Sequence, residues 1–509
     1  MQTLKELAKL IPATRLSFPK NGKQGQRMEQ LFSTLKENEQ LDDDDAAELI
    51  FGSGKDRRYP SYKKLKHQLK YELVAALLKV EPGINHEDGR RAFVQNRCRQ
   101  LCTSAAICLY SGATDAALSL FEQALTIAEE NQFTILAAEA AHELVRIYAN
   151  KRFDKKRLKL YLEKAAHYEN ERHALLNLER DMCQAFGHYI GNDPPGKIVE
   201  LGFRAMKNHQ KMVESTTSAR FITDYYLLQI RSAFAIKDYP AAARHSRAAI
   251  HRLKSINDSR STAAITTFYT TALSALIQLK EFEEGNKILG DLQKIIPTGS
   301  QNHFKMLENA MLLSLRSEHY QEAYDWFRQY KLKQARKVLP AIQQEAFAIY
   351  RGYLFLLASM EYIHIDEADS RFSNFRVARF MNQTERYSKE KQRHNVNILI
   401  IQMLYFIISR KYNLAIDRIE PLQKYCSRHL RKSSDTYRSN CFIRMLLEVP
   451  INAFHRAAVE RKGTKWLAKL KEMPSDIVSQ PLELEIIPYE KLWQMVLDSL
   501  ELKRVGKYK

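Results

Sequence analysis

Apolar positions along this chain recur at helical spacing, and the recurrence is itself repeated. Four times a polar pair is followed by an aromatic residue and, three places on, by a small one: Lys237-Asp238-Tyr239 with Ala242, Lys280-Glu281-Phe282 with Gly285, Glu318-His319-Tyr320 with Ala323, and Arg410-Lys411-Tyr412 with Ala415. Taking the small or aliphatic residue as an anchor gives Ala117, Leu158, Val199, Ala242, Gly285, Ala323 and Ala415, the first six about 38–43 residues apart. Positions four and seven beyond each anchor stay mostly apolar or small: Phe121 and Ala124, Leu162 and Ala165, Phe203 and Met206, Ser246 and Ala249, Leu289 and Leu292, Phe327 and Tyr330, Ile419 and Leu422. Such a stripe is one buried helix face. A single helix pair cannot bury that face alone, so the spacing predicts stacked pairs sharing one elongated core. The interval from Ala323 to Ala415 is about twice the others, which predicts an irregular unit with a loop near 364–369 and a second helix over 372–381.

The flanks differ from the array. Two short helices are expected at 27–38 and 44–51, the second opened by Asp42, Asp43, Asp44 and Asp45, acids suited to a helix N-terminus. Pro60 opens a third over 61–80, which begins with Lys63, Lys64, Lys66, His67 and Lys70. At the other end, Ile486-Ile487-Pro488-Tyr489-Glu490-Lys491-Leu492-Trp493 leads into an amphipathic helix expected to close the stack, followed by a basic tail with Lys503, Arg504, Lys507 and Lys509. The expected organisation is an extension at 1–26, a basic helical module at 27–90, the repeat array at 91–430, a helical cap at 431–498 and the tail at 499–509. The basic module has two readings, a cap for the first repeat or a helix-turn-helix.

In its second helices the chain resembles the tetratricopeptide-repeat superfamily, on Thr114-Asp115-Ala116-Ala117 through Phe121 to Ala124, Tyr320-Gln321-Glu322-Ala323 through Phe327, and Phe282 through Leu292 to Pro297. The resemblance covers roughly 95–430; the first helices lack that family's tryptophan and glycine, and the units exceed its usual length of about 34 residues. It implies an all-α, right-handed α-solenoid whose first helices line a concave, partner-binding surface. By similarity of register that surface would carry Arg99, Glu143, Asn150, Asp224, Arg231, Lys305, Glu308 and Asn397. Polar groups in such a path can read a peptide's backbone and charges. The basic module is similar to N-terminal modules fused to repeats in peptide-responsive regulators, and the whole plan is also similar to uncharacterised repeat proteins of some bacteria.

Composition narrows the classes. Only 17 Gly and 14 Pro interrupt 509 residues, and alternating β-branched runs are scarce, so the expected class is all-α. Lys and Arg number 79 against 59 Asp and Glu, a formal charge of +20 that favours acidic partners: an acidic protein segment, nucleic acid or an anionic surface. The basic residues are spread along the chain, as at Arg328, Lys331, Lys333, Arg336 and Lys337 or Arg386, Lys389, Lys391 and Arg393, which is the pattern of solvated helix faces. Residues 1–16 carry Lys5, Glu6 and Lys9 among leucines and form no leader core. The apolar stretch at 396–409 contains Asn397 and Gln402 and falls short of the roughly 18–20 residues that cross a bilayer. A cytoplasmic protein without a membrane partner is expected, its six cysteines reduced.

Motifs for chemistry are weak. Phe51-Gly52-Ser53-Gly54-Lys55-Asp56 has Leu49 where a phosphate-binding loop needs its first glycine and Asp56 where it needs Ser or Thr, so a turn is expected. Cys98 and Cys102 share a helix face, with Cys108 off it, but no second pair completes four zinc ligands. His245 and His251 lie on different faces. Asp366, Glu367 and Asp369 sit in an expected loop rather than a cleft that would split their proton affinities. The expectation is a non-catalytic protein- or peptide-binding scaffold with no cofactor and no metal. The alternative is a nucleic-acid-binding regulator in which Lys63, Lys64, Lys66 and Lys70 meet phosphate.

Overall fold

The computed structural model describes residues 1–11, 16, 18, 22–77, 87–191, 193–256, 262–373, 380, 395–430, 437–473 and 485–501. Among them every regular element is a helix. The expected residues Arg386, Lys389, Lys391, Arg393, Lys503, Arg504, Lys507 and Lys509 lie outside the described residues. The chain divides into two compact units, Met1–Arg172 and His173–Lys509.

The first unit has two cores. Helices α1 (Gln2–Leu10), α2 (Lys23–Glu37), α3 (Asp43–Phe51) and α4 (Pro60–Leu77) surround Leu4, Ala8, Met28, Leu31, Ala47, Leu65 and Leu69. The acidic run does what its position suggests: the Asp42 carboxylate accepts hydrogen bonds from the amides of Asp44 and Asp45, both at 2.8 Å, capping α3. The segment expected as an extension instead supplies α1, because Leu4, Ala8 and Ile11 fall on one face and are buried. The second core joins α5 (Glu87–Tyr110), α6 (Thr114–Glu130), α7 (Thr134–Asn150) and the start of α8 (Lys155–Ile190), with Cys98, Cys102, Phe121, Ala124, Ala141 and Leu144 at its centre. The boundary between units falls within α8.

The second unit continues through α9 (Pro195–Ser215), α10 (Ala219–Ala235), α11 (Tyr239–Ser255), α12 (Thr262–Leu279), α13 (Phe282–Ile295), α14 (Gln301–Arg316), α15 (Tyr320–Arg328), α16 (Leu332–Val338), α17 (Ala341–Ser359), α18 (Ser370–Ser373), α19 (Asn395–Ile408), α20 (Tyr412–Ile416), α21 (Ile419–His429), α22 (Tyr437–Ile451), α23 (Arg456–Lys471) and α24 (Tyr489–Glu501). Helices pack chiefly on their neighbours in sequence, and one hydrophobic cluster runs from Ala174 to Leu497.

The repeated phrase is a connector. Its first residue, Lys237, Lys280, Glu318 or Arg410, adopts a left-handed backbone with φ of 61°, 61°, 67° and 54°. The next amide then reaches back five residues: Asp238 to the Ala233 carbonyl at 2.8 Å, Glu281 to Leu276 at 3.0 Å, His319 to Ser314 at 2.9 Å and Lys411 to Phe406 at 2.9 Å. This is a Schellman ending, which satisfies carbonyls that the terminating helix leaves open. The second polar residue starts the following helix, and at Asp238 its carboxylate accepts from the Ala241 amide at 2.9 Å. In three of the four the aromatic residue meets the next connector: Phe282 stacks on His319 at 3.5 Å, Tyr320 meets Tyr362 at 5.9 Å, and Tyr412 meets Phe454 at 4.0 Å, whereas Tyr239 meets Phe234 of the preceding helix at 6.0 Å. In those three, aromatic recurrence reflects contact between successive turns.

The anchors Ala117, Ala242, Gly285, Ala323 and Ala415 are buried, as the register requires. Two stretches depart from it. In α8 Tyr161 is buried and Leu162 exposed; in α9 the face is Ile198, Leu201, Gly202 and Ala205, while Phe203 is 64% exposed. Both faces lie one residue earlier than the register places them, so the offset is present near the start of α8, a 36-residue helix without an internal connector, and persists into α9. Gly202 marks a close crossing: a Cβ there would lie 2.1 Å from Ser232 Oγ. Residues 360–369 form the expected loop; of the helix expected over 372–381, only 372, 373 and 380 are described.

The segment before α24 closes this unit on a polar latch. Buried Arg438 on α22 donates Nε to Glu485 Oε2 at 2.8 Å and Nη2 to Glu485 Oε1 and to both Glu490 oxygens at 2.9 Å, while Nη1 reaches the carbonyls of Leu470 and Met473. Glu485 Oε1 also accepts from the Tyr489 amide, and Tyr489 stacks on Phe442 at 4.5 Å. The Ile-Pro-Tyr-Glu segment thus joins the core, with α24 packed on α19, α22 and α23.

Candidate functional site

Helices α10, α12 and α14 are the first members of three successive pairs, and they bound a groove of about 580 Å³. Its floor is α12, whose Thr266, Thr267, Thr270, Thr271 and Ser274 line it; Phe234 of α10 and Asn302 of α14 form its sides. Local chemistry orients the hydroxyls. Each donates to the carbonyl four residues back: Thr266 to Thr262 at 2.8 Å, Thr267 to Ala263 at 3.0 Å, Thr270 to Thr266 at 2.9 Å, Thr271 to Thr267 at 2.8 Å and Ser274 to Thr270 at 3.0 Å. Their single protons are used within the helix, so they face the groove as acceptors. A ligand there must bring donors.

Charged groups stand elsewhere on α10 and α14, outside the lining of the groove. Asp224 on α10 is shielded enough that burial raises its pKa, against the opposing pull of Arg220, whose Nε lies 3.9 Å away. Arg231 places its guanidinium 5.6 Å from the Phe186 ring centroid, a cation–π approach. On α14 Lys305 Nζ pairs with Glu308 at 2.9 Å. These four residues therefore belong to the helices that bound the groove.

Asn397 does not join them. It is 1% exposed and accepts the Tyr353 hydroxyl at 2.7 Å, because α19 is buried on nearly every side and its polar position serves the core. In the first unit, Arg99 on α5 is exposed beside Asn96 at 3.5 Å, Glu143 on α7 holds Arg146 at 2.9 Å, and Asn150 is exposed at the end of α7. Arg99 and Glu143 thus make local helix-surface pairs.

Along α4, Lys63, Lys64 and Lys70 are exposed, whereas Lys66 Nζ is held by Asp43 Oδ1 at 2.6 Å. Burial pushes the Asp43 carboxyl up, but hydrogen bonds from Lys66, Tyr62 and the amino terminus outweigh it and hold the pKa down to about 2. Lys66 is thus committed to a carboxylate that stays ionised, which weakens α4 as a phosphate-binding face.

The other candidates have structural duties. Gly52 and Gly54 take φ of 94° and 80° in the turn between α3 and α4. Cys98 Sγ donates to the Ala124 carbonyl at 3.3 Å, and among the described residues no group of three or more His, Cys, Asp or Glu is arranged to hold a metal. Asp366 is exposed; Asp369 is gripped by Arg371 Nε at 2.7 Å and Nη2 at 2.5 Å. His251 is exposed and His245 half-buried, its pKa lowered by burial. No described helix is long and apolar enough to cross a membrane.

The hydroxyl floor was visible as Thr or Ser at i, i+1, i+4, i+5 and i+8 from Thr266, one helical face, but a search confined to charges passes over it. The Arg438 latch had no local signal, since its carboxylates lie 47 and 52 residues away. No protein-family model, curated protein or solved structure matches this chain.

Proposed function

We propose that this protein is a non-catalytic scaffold that binds an extended protein segment along the first helices of its repeat array, centred on the groove over α12. The observation that carries this reading is the acceptor-only floor of five hydroxyls beside Phe234. A peptide in extended conformation presents backbone N–H groups at regular intervals and an apolar side chain for Phe234 to meet. Arg231 on α10 and Lys305 on α14 favour acidic side chains in a segment that continues along these helices, so binding weakens with salt.

The test uses peptides selected from a random display library on the full chain. Thr267→Val with Thr271→Val keeps the side-chain shape and removes two acceptors. Selected peptides should lose about tenfold or more in affinity for this double variant, the value of one to two hydrogen bonds left unmade. Selected peptides that bind parent and variant equally would place the site elsewhere.

A second reading rests on the exposed Lys63, Lys64 and Lys70 of α4. Nucleic acid bound there would be released by replacing those three lysines with glutamate, while peptide capture would persist. The acidic start of α3, with Asp43 holding Lys66, argues for the peptide reading.

A further inference from the structure

Helices α21, α22 and α23 border a half-open pocket of about 450 Å³ whose lining, among the described residues, contains Arg444 and Lys469 and no acidic residue. The cavity is separate from the groove over α12 and has a different chemistry. Its lining includes Trp466, approached by three cations: the Arg444 guanidinium carbon at 4.9 Å from the ring centroid, Lys465 Nζ at 5.0 Å and Lys469 Nζ at 4.9 Å. Among the described residues none of the three has a carboxylate partner. Three like charges around one indole repel one another, and an indole face attracts a cation without neutralising it.

The arrangement is also oriented. Asn440, one turn before Arg444 on α22, accepts Arg444 Nε at 2.7 Å and donates its own amide to the Leu430 carbonyl at the end of α21. That chain of bonds fixes the guanidinium plane and leaves the two terminal nitrogens for something else. Ser427 adds a hydroxyl to the lining, and Leu430, Cys426 and Cys441 give it an apolar side.

We propose that this cavity binds a small organic phosphomonoester, with the phosphate between Arg444 and Lys469 and the organic body against Trp466 and the apolar side. A phosphomonoester carries a charge of about −1.5 to −2 at neutral pH and three acceptor oxygens, which suits several cations arriving from different directions. A carboxylate offers a single charge and two oxygens in one plane. The volume exceeds what a bare phosphate fills and falls in the range of small-molecule sites.

The experiment uses the full chain at about 150 mM salt, where exposed charges are screened beyond roughly 8 Å. Phenyl phosphate, inorganic phosphate and benzoate are titrated by calorimetry, with phosphorus NMR line-broadening for the first two. Phenyl phosphate should bind most tightly. Arg444→Gln and Lys469→Gln should each weaken it by about tenfold or more, the loss of one charge-assisted hydrogen bond. Lys151→Gln, at an exposed position in the first unit, should leave it unchanged. Lys469 is exposed, so its variant keeps the test intact if Arg444→Gln disturbs folding, which circular dichroism reports. Absence of phenyl phosphate binding, unchanged binding in the folded variants, or equal binding of benzoate overturns the proposal. Inorganic phosphate binding as tightly as phenyl phosphate overturns the assignment of an organic body. None of these outcomes depends on the peptide groove, whose variants lie on α12.

Discussion

Lys280 occupies a backbone conformation that a side chain makes costly, and it does so because the turn it builds is needed between α12 and α13. A left-handed L-residue costs about 1–2 kcal/mol, of which glycine would return about 0.4–1 kcal/mol as extra freedom of the unfolded chain. Lys280→Gly should therefore raise stability by roughly 0.5–1 kcal/mol in thermal unfolding, and Lys280→Val should lower it. The recurrence of this phrase was legible in the sequence, but its left-handed residue was not, since Lys, Glu and Arg are poor advertisements for that conformation. Glu345 is a second residue whose surroundings override its type. It is 7% exposed, and burial pushes its carboxyl from the usual 4.5 up to about 7. Between those values the folded protein holds a proton that the unfolded chain has released, so stability is fullest below pH 4.5 and falls as pH rises towards 7. Glu345→Gln carries no charge to bury. Its advantage over the parent should be near zero in acid and grow to roughly 2–3 kcal/mol above neutrality; an advantage that does not change with pH would refute the buried carboxyl.

At the scale of elements, periodicity located most helices, and failed where one helix replaced two. The buried faces of α8 and α9 both fall one residue before the expected register, an offset already present at Tyr161 near the start of the 36-residue α8. Helix α1 was missed because three buried residues over nine positions make a weak stripe until α2 and α4 cover it. The closing helix shows the opposite case, an apolar segment legible as core whose polar partner was invisible. Arg438 is 3% exposed and Glu485 2%, so removing one charge strands the other. Arg438→Met should cost about 3–5 kcal/mol, and adding Glu485→Leu should restore part of that loss, because a buried pair is harder to break than to replace with apolar groups. Urea unfolding measures both. A single variant as stable as the parent would show that the latch contributes nothing to closure.

Across the molecule, one hydrophobic cluster spans the second unit from α8 to α24, while the first unit keeps two smaller cores. Charge is distributed differently: the +20 excess is spread over helix surfaces, and among the described residues three cations gather around the Trp466 ring, within a basic run of Arg461, Lys462, Lys465, Lys469 and Lys471 that the search for motifs passed over. Four of the residues expected along the binding face, Asp224, Arg231, Lys305 and Glu308, do lie on helices that bound one groove, whereas Asn397 was absorbed by the core. By itself the sequence determined that the described chain is helical and that its helices pack on their neighbours in sequence, because burial of a periodic face needs only local spacing and a neighbour of the same kind. Tertiary structure alone decided which polar groups face a cavity and which are consumed inside. That choice rests on the phase of each helix against its neighbours, and a shift of one residue, as in α9, turns about 100° of helix surface from core to solvent.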